Sequence, residues 1–200
     1  MNKITKNLTI IGSEESNWLG VPTLSEIDQY LTKKLKTLNL DSTSAHSTWD
    51  LINLLAKTPA AVTSLMRYFY EPTDEDRILK RKLPSTFHIQ LARSLSTKSG
   101  QIIITTNRDR LIEWGLARIG IAPQIISNRN NLIESLPFEQ TKCTLIKLNG
   151  DYLDRQESKI DYQLKMIIED KTEQISDPVF YKCSSSDQAR LSKFNFNSNK

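Results

Sequence analysis

The chain has 200 residues, 38% of them hydrophobic and 25% charged, with a formal net charge of +4; one domain with a substantial core is the natural expectation. No apolar run approaches the ~18–20 residues of a membrane span, and the N-terminal one is too short for a signal peptide, so a cytoplasmic protein is expected. Two cysteines and two histidines at no recognisable spacing exclude a disulfide framework and a four-ligand zinc site, and scattered basic residues make nucleic acid and membrane unexpected partners.

Short apolar runs alternate with longer segments of helical period, which predicts an α/β domain. The first strand is "NLTII", residues 7–11. The stretch "GSEESNWLGVP" comes next, from Gly12 to Pro22. A glycine turn leading into a helix lets backbone N–H groups approach a phosphate, although Glu14 and Glu15 would repel one. The next helix carries Leu24, Ile27, Leu31, Leu35 and Leu38 on one stripe, and Thr23 and Glu26 have the spacing of a capping box.

Residues 47–95 read as helical. Thr58 is the expected N-cap of "TPAAVTSLMRYFY", with Pro59 at the first helical position and Val62, Leu65, Met66 and Phe69 on one face. "EPTDEDRILKRKLPS" is expected to be a polar loop, and "FHIQLARSL" a helix with His88, Leu91, Ala92 and Leu95 inward. "QIIIT" (101–105) is a buried strand, and "DRLIEWGLARIG" a helix with Ile112, Leu116 and Ile119 on one face. "PQIIS" (123–127), "TLIKL" (144–148) and "PVFYK" (178–182) are further short strands, and 191–200 is expected to be a flexible tail. Strands separated by helices predict a parallel sheet, with ligands at the carboxyl ends of its strands.

Two loops at such strand ends stand out. "TTNRDRLIE" places Asn107 and Asp109 between a buried strand and a helix, where either also suits the helix N-cap. "KLNGDYLD" places Asn149, Gly150 and Asp151 just past a strand, where they also suit a turn.

Taken in order, these loops resemble the sirtuin-like domain family, in particular the zinc-free bacterial members that break down NAD in antiviral defence. Gly12, Ser16, Gly20, Val21 and Pro22 fall on a first motif, G-A-G-x-S followed three residues later by G-[IV]-P. Thr105, Thr106, Asn107, Asp109, Leu111, Ile112 and Glu113 fall on T-T-N-x-D-x-L-[LI]-E. The third motif, K-[LV]-H-G-D-Y-L-D, is matched everywhere except at Asn149, where the family has its catalytic histidine.

The resemblance covers residues 8–154 and implies a Rossmann-like parallel sheet flanked by helices. It places a helical insertion at 40–98 within one domain spanning 1–190. It also implies NAD as substrate or ligand, no metal, and cleavage of the nicotinamide–ribose bond. The catalytic positions become Asn107, Asp109 and Asn149. The cofactor-binding positions become Gly12, Ser16, Gly20, Pro22, Thr106, Asn107, Gly150 and Ser184. Ser184 comes from "FYKCSSSD", where Lys182 stands at a family glycine and Asp187 lies shortly after.

The departures from the family matter as much as the matches. An amide accepts no proton near neutral pH, whereas an imidazole titrates there, so hydrolysis is expected to be impaired or absent. Glu14 replaces a glycine beside the expected phosphates, and "RQESKI" stands where the family has R-I-x-N-T. The C-terminal part of the sheet is expected to be incomplete, because Lys200 arrives before its last elements. Two readings stay open. One is a divergent NAD glycohydrolase whose base comes from Asp109, Glu14 or a partner; the other is a non-catalytic module that binds NAD, ADP-ribose or a protein partner.

Overall fold

β1 (Leu8–Ile11), β2 (Gln101–Thr105) and β4 (Cys143–Lys147) are buried at every position, as strands covered on both faces must be. With β3 (Gln124–Ile126) and β5 (Val179–Tyr181) they form an open, all-parallel sheet of order β3-β4-β2-β1-β5. The structure is a computed structural model that describes residues 8–96, 100–135, 140–154, 179–183, 185, 187 and 188. The expectations for Ser184, for "RQESKI" and for the tail at 191–200 lie outside the described residues.

Six helices lie between β1 and β2: α1 (Glu14–Trp18), α2 (Leu24–Thr37), α3 (Thr48–Leu55), α4 (Pro59–Tyr70), α5 (Asp74–Ile78) and α6 (Thr86–Ser96). Of these, α3 to α6 fall within the 40–98 expected for the helical insertion, and α1 and α2 come before it. α7 (Leu111–Ala117) comes after β2, and α8 (Arg129–Ile133) after β3. The register pairs Thr9 with Ile103 and Ile103 with Leu145. Side chains alternate along strands, so Ile11, Ile103 and Leu145 share a face, and Leu91 and Leu95 of α6 and Ile112 and Leu116 of α7 pack on it. A second core joins α2, α3 and α4 through Ile27, Leu31, Ile52, Met66 and Phe69, and reaches Leu111 and Tyr152.

Several local readings hold. Thr23 and Glu26 form a full capping box, and Thr58 caps α4 with Pro59 in its first turn. His88, Leu91, Ala92 and Leu95 are all buried.

Others need correcting. The stretch 71–85 is not only loop: Thr73 and Asp76 form a capping box that starts α5, and their three-residue spacing outweighs the polar composition. Leu24 and Leu38, at the ends of the α2 stripe, are 46% and 58% exposed, because the core covers only the middle turns. α8 lies in a polar stretch that has no apolar period to announce it.

His88 carries a pH dependence. Its Nδ1 accepts the Ser85 N–H at 3.2 Å, which requires a neutral ring, and burial pushes its pKa down against the opposing pull of Asp109 and Glu15. The folded chain therefore holds this proton less tightly than the unfolded chain does. Stability is expected to fall as pH drops below about 6.5, by up to about 1.4 kcal/mol per pH unit from this group. Urea denaturation at pH 7.5 and pH 5 checks it, since His88→Asn should flatten the dependence.

Candidate functional site

The carboxyl ends of β1, β2 and β4 open onto a cavity of about 400 Å³, within the usual range for small-ligand sites. Ser13, Ser16, Pro22, Thr106, Asn107 and Asp109 line it, with Asn149 and Asp187. Among the expected site residues, the fold thus brings together Ser16, Pro22, Thr106, Asn107, Asp109 and Asn149. They come from three segments far apart in sequence.

The expected glycines serve the turns that carry these residues and are not among the lining. A methyl group at Gly12 would collide with the Cys183 backbone, the Lys182 carbonyl and the Asp187 carboxylate. Gly20 takes φ +83°, next to the Arg81 side chain. There the chain doubles back, so that the Val21 N–H reaches the Ser16 carbonyl at 3.0 Å. Gly150 takes φ +76° in the turn after β4, donating to the Lys147 carbonyl at 3.0 Å. Lys182, at the expected family glycine, has φ +50°. A left-handed conformation costs a non-glycine residue about 1–2 kcal/mol, so the backbone there still has the shape that a glycine suits.

Asn107 is the floor of the cavity. Its Nδ2 donates to Ser16 Oγ at 2.9 Å, and its backbone N–H donates to Thr105 Oγ1 at 3.1 Å. Its Oδ1 is buried and has no hydrogen-bond partner among the described residues. A buried acceptor left in this state costs about 1–3 kcal/mol, and a ligand hydroxyl or amide would relieve that cost. Asp109 is not the N-cap residue of α7, a place taken by Arg110; its Oδ1 instead accepts the Leu111 N–H at 2.9 Å. Asn149 Nδ2 donates to the Thr106 carbonyl.

The second and third motifs are bolted together beneath the cavity. Lys147 is fully buried, and its ammonium donates to the carbonyls of Arg108 (3.2 Å) and Asp109, to Glu113 Oε1 (2.8 Å) and to Asp151 Oδ2 (2.9 Å). Burial alone would push its pKa down, but Glu113, Asp151 and Asp109 outweigh that and hold it above the ordinary value. Arg110 adds a second cation to Asp151, with Nε 3.1 Å from Oδ2.

Several lining residues escape motif reading. Tyr70 is one of the aromatic positions of α4, a helix whose apolar stripe reads as core; burial pushes its phenol up to about 12, so it stays protonated at neutral pH. Ser13 stands where the first motif has alanine, Asn17 lies in the gap between its two parts, and Arg108 falls on the open position of the second motif.

No protein-family model matches this chain, and no curated protein matches it. The chemistry open to the cavity is set by its own residues. Among the described residues no group of three or more His, Cys, Asp or Glu could hold a metal ion, and no helix is long and apolar enough to cross a membrane. Neither histidine lines the cavity.

The residues present fit a dinucleotide only in part. The floor of Ser16, Asn107, Asp109 and Asn149 offers the mixed donors and acceptors that a ribosyl group needs. The first-motif turn offers little to a pyrophosphate. The Gly12 N–H donates to the Tyr181 carbonyl at 3.0 Å and the Glu14 N–H to the Lys182 carbonyl at 3.3 Å. The Ser13 N–H and hydroxyl donate to Asp187 Oδ2 at 2.9 and 3.0 Å. The Thr106 hydroxyl takes the other Asp187 oxygen. A carboxylate of the chain itself therefore stands at the turn where a phosphate would be cradled.

Proposed function

We propose that this is a sirtuin-like domain that binds a ribosyl nucleotide of the NAD or ADP-ribose kind and leaves the nicotinamide–ribose bond essentially uncleaved. The unpartnered, buried Asn107 Oδ1 on the cavity floor is the observation that carries the binding half of this reading. The loss of cleavage rests on Asn149. Its amide has no proton-accepting nitrogen, and the Tyr70 phenol, also in the lining, is held neutral. The Asp109 carboxylate in the lining is already engaged, its Oδ1 accepting the Leu111 N–H, and losing a positioned general base typically lowers a rate by about 10²–10⁴-fold. On the same reading the domain works in the cytoplasm, where such nucleotides are available.

Calorimetric titration with NAD and with ADP-ribose, run beside a nicotinamide-release assay on the same sample, tests both halves. Saturable binding without release is the expected result. Release at rates typical of hydrolases would overturn the lost-base reading, and absence of binding to both nucleotides would overturn the ligand assignment.

A further inference from the structure

We propose that Arg108 is the anion-recognising residue of this cavity, so that the phosphate of a bound ligand lies at the Arg108–Tyr70 end and not at the Gly12–Glu14 turn. The proposal rests on the ribosyl-nucleotide reading and adds an orientation to it. Its first support is the side chain itself. Arg108 is half-buried, its Nε is buried without a hydrogen-bond partner, and among the described residues its guanidinium makes no ion pair. The other arginine of the loop, Arg110, is paired with Asp151. A guanidinium carries five donors and never loses its charge, so leaving one half-buried and unanswered is costly unless an anion completes it.

The second support is position. Arg108 and Tyr70 line both the main cavity and a pocket of about 30 Å³ beside it, walled by Leu24, Ile27, Ile52 and Met66. The Arg108 backbone is pinned, because its carbonyl accepts from Lys147 Nζ at 3.2 Å and from the Tyr152 N–H at 3.1 Å. The donor fork therefore starts from a fixed point.

The third support is the state of the alternative site. The three consecutive N–H groups of the turn all donate within the chain, and the Asp187 carboxylate lines the cavity there. A phosphate at that end would face a like charge and find no free donor in the turn. At the Arg108 end it finds a cation. A ligand with its hydroxyls on Asn107 and Ser16 and its phosphate on Arg108 satisfies both of the unpartnered groups at once.

The test uses three probes by calorimetry: adenosine, adenosine monophosphate and inorganic pyrophosphate. Charge-assisted hydrogen bonds from a guanidinium to phosphate should make the monophosphate bind about 10-fold to 100-fold tighter than adenosine. Arg108→Gln is expected to erase that preference and abolish pyrophosphate binding, while Arg108→Lys keeps part of each. An unchanged melting temperature confirms that the variants fold. A monophosphate preference that survives in Arg108→Gln would overturn the proposal and return the phosphate to another donor set. If neither adenosine nor its monophosphate binds but pyrophosphate does so through Arg108, the anion site stands and the ribosyl reading falls. Failure of all three probes sinks both.

Discussion

Replacing Lys147 by methionine is expected to destabilise the protein by about 3–5 kcal/mol, the range found when one partner of a buried charge cluster is removed. Four acceptors converge on this ammonium, and methionine satisfies none of them. Two of the four are backbone carbonyls: that of Arg108 keeps the Tyr152 N–H, whereas that of Asp109 loses its close contact with the cation. The other two are carboxylates, and their fates differ. Burial already pushes the Glu113 carboxyl up, against the pull of Lys147, so without the cation it takes up a proton and recovers part of the loss. Asp151 keeps Arg110. The lower end of the range is therefore expected at neutral pH, read by urea denaturation. Glu113→Gln should cost less than Lys147→Met, because it removes a charge that burial already disfavours. A change within about 0.5 kcal/mol for Lys147→Met, the scale of an ordinary surface substitution, would show that the cluster does not hold the two motifs together.

This cluster also marks where sequence reading reaches its limit. Alternation of isoleucine-rich runs with helical stripes is a local signal, and it carried the sheet and the helices between its first two strands, with a cavity at the carboxyl ends where a ligand was expected. The strand ends shifted by a residue, as with Cys143–Lys147 against an expected 144–148, because a strand's last residues are set by its neighbour's register. Lys147 falls on the third motif, but nothing local says that it is buried; the register, which puts it opposite Thr105 on the α7 side, does that. Arg108 was hidden differently, and Asp187 was legible only as a neighbour of Ser184. Each acquires its meaning from the groups across the cavity, 81 residues away for the Thr106–Asp187 bond, and no local period records that. The glycines illustrate the converse. Gly12 and Gly20 are legible as turn residues, but whether the turn faces a phosphate or a carboxylate of the same chain is decided by β5 and by Asp187 beyond it.

On the proposed reading, supplying a base by Asn149→His is expected to raise nicotinamide release by about 10²–10⁴-fold over the parent chain. The geometry favours it. The Leu148 N–H donates to the Thr105 carbonyl at 2.8 Å, which fixes the backbone entering position 149, and the Asn149 amide already donates to the Thr106 carbonyl. A histidine that donates its Nδ1–H to that same carbonyl leaves Nε2 free to accept a proton from the cavity, the arrangement by which a backbone oxygen selects the tautomer. Release gained in Asn149→His and lost again in Asn149→His/Asn107→Ala would show an intact floor that lacked only its base. No gain, in a variant that still binds NAD, would mean that the ligand sits with its scissile bond away from position 149. Anchoring the phosphate on Arg108 is one way to produce that pose, and adding Arg108→Gln to Asn149→His should then recover release. If binding is lost as well, Asn149 was holding the second motif through Thr106 and the amide is a structural residue of the floor.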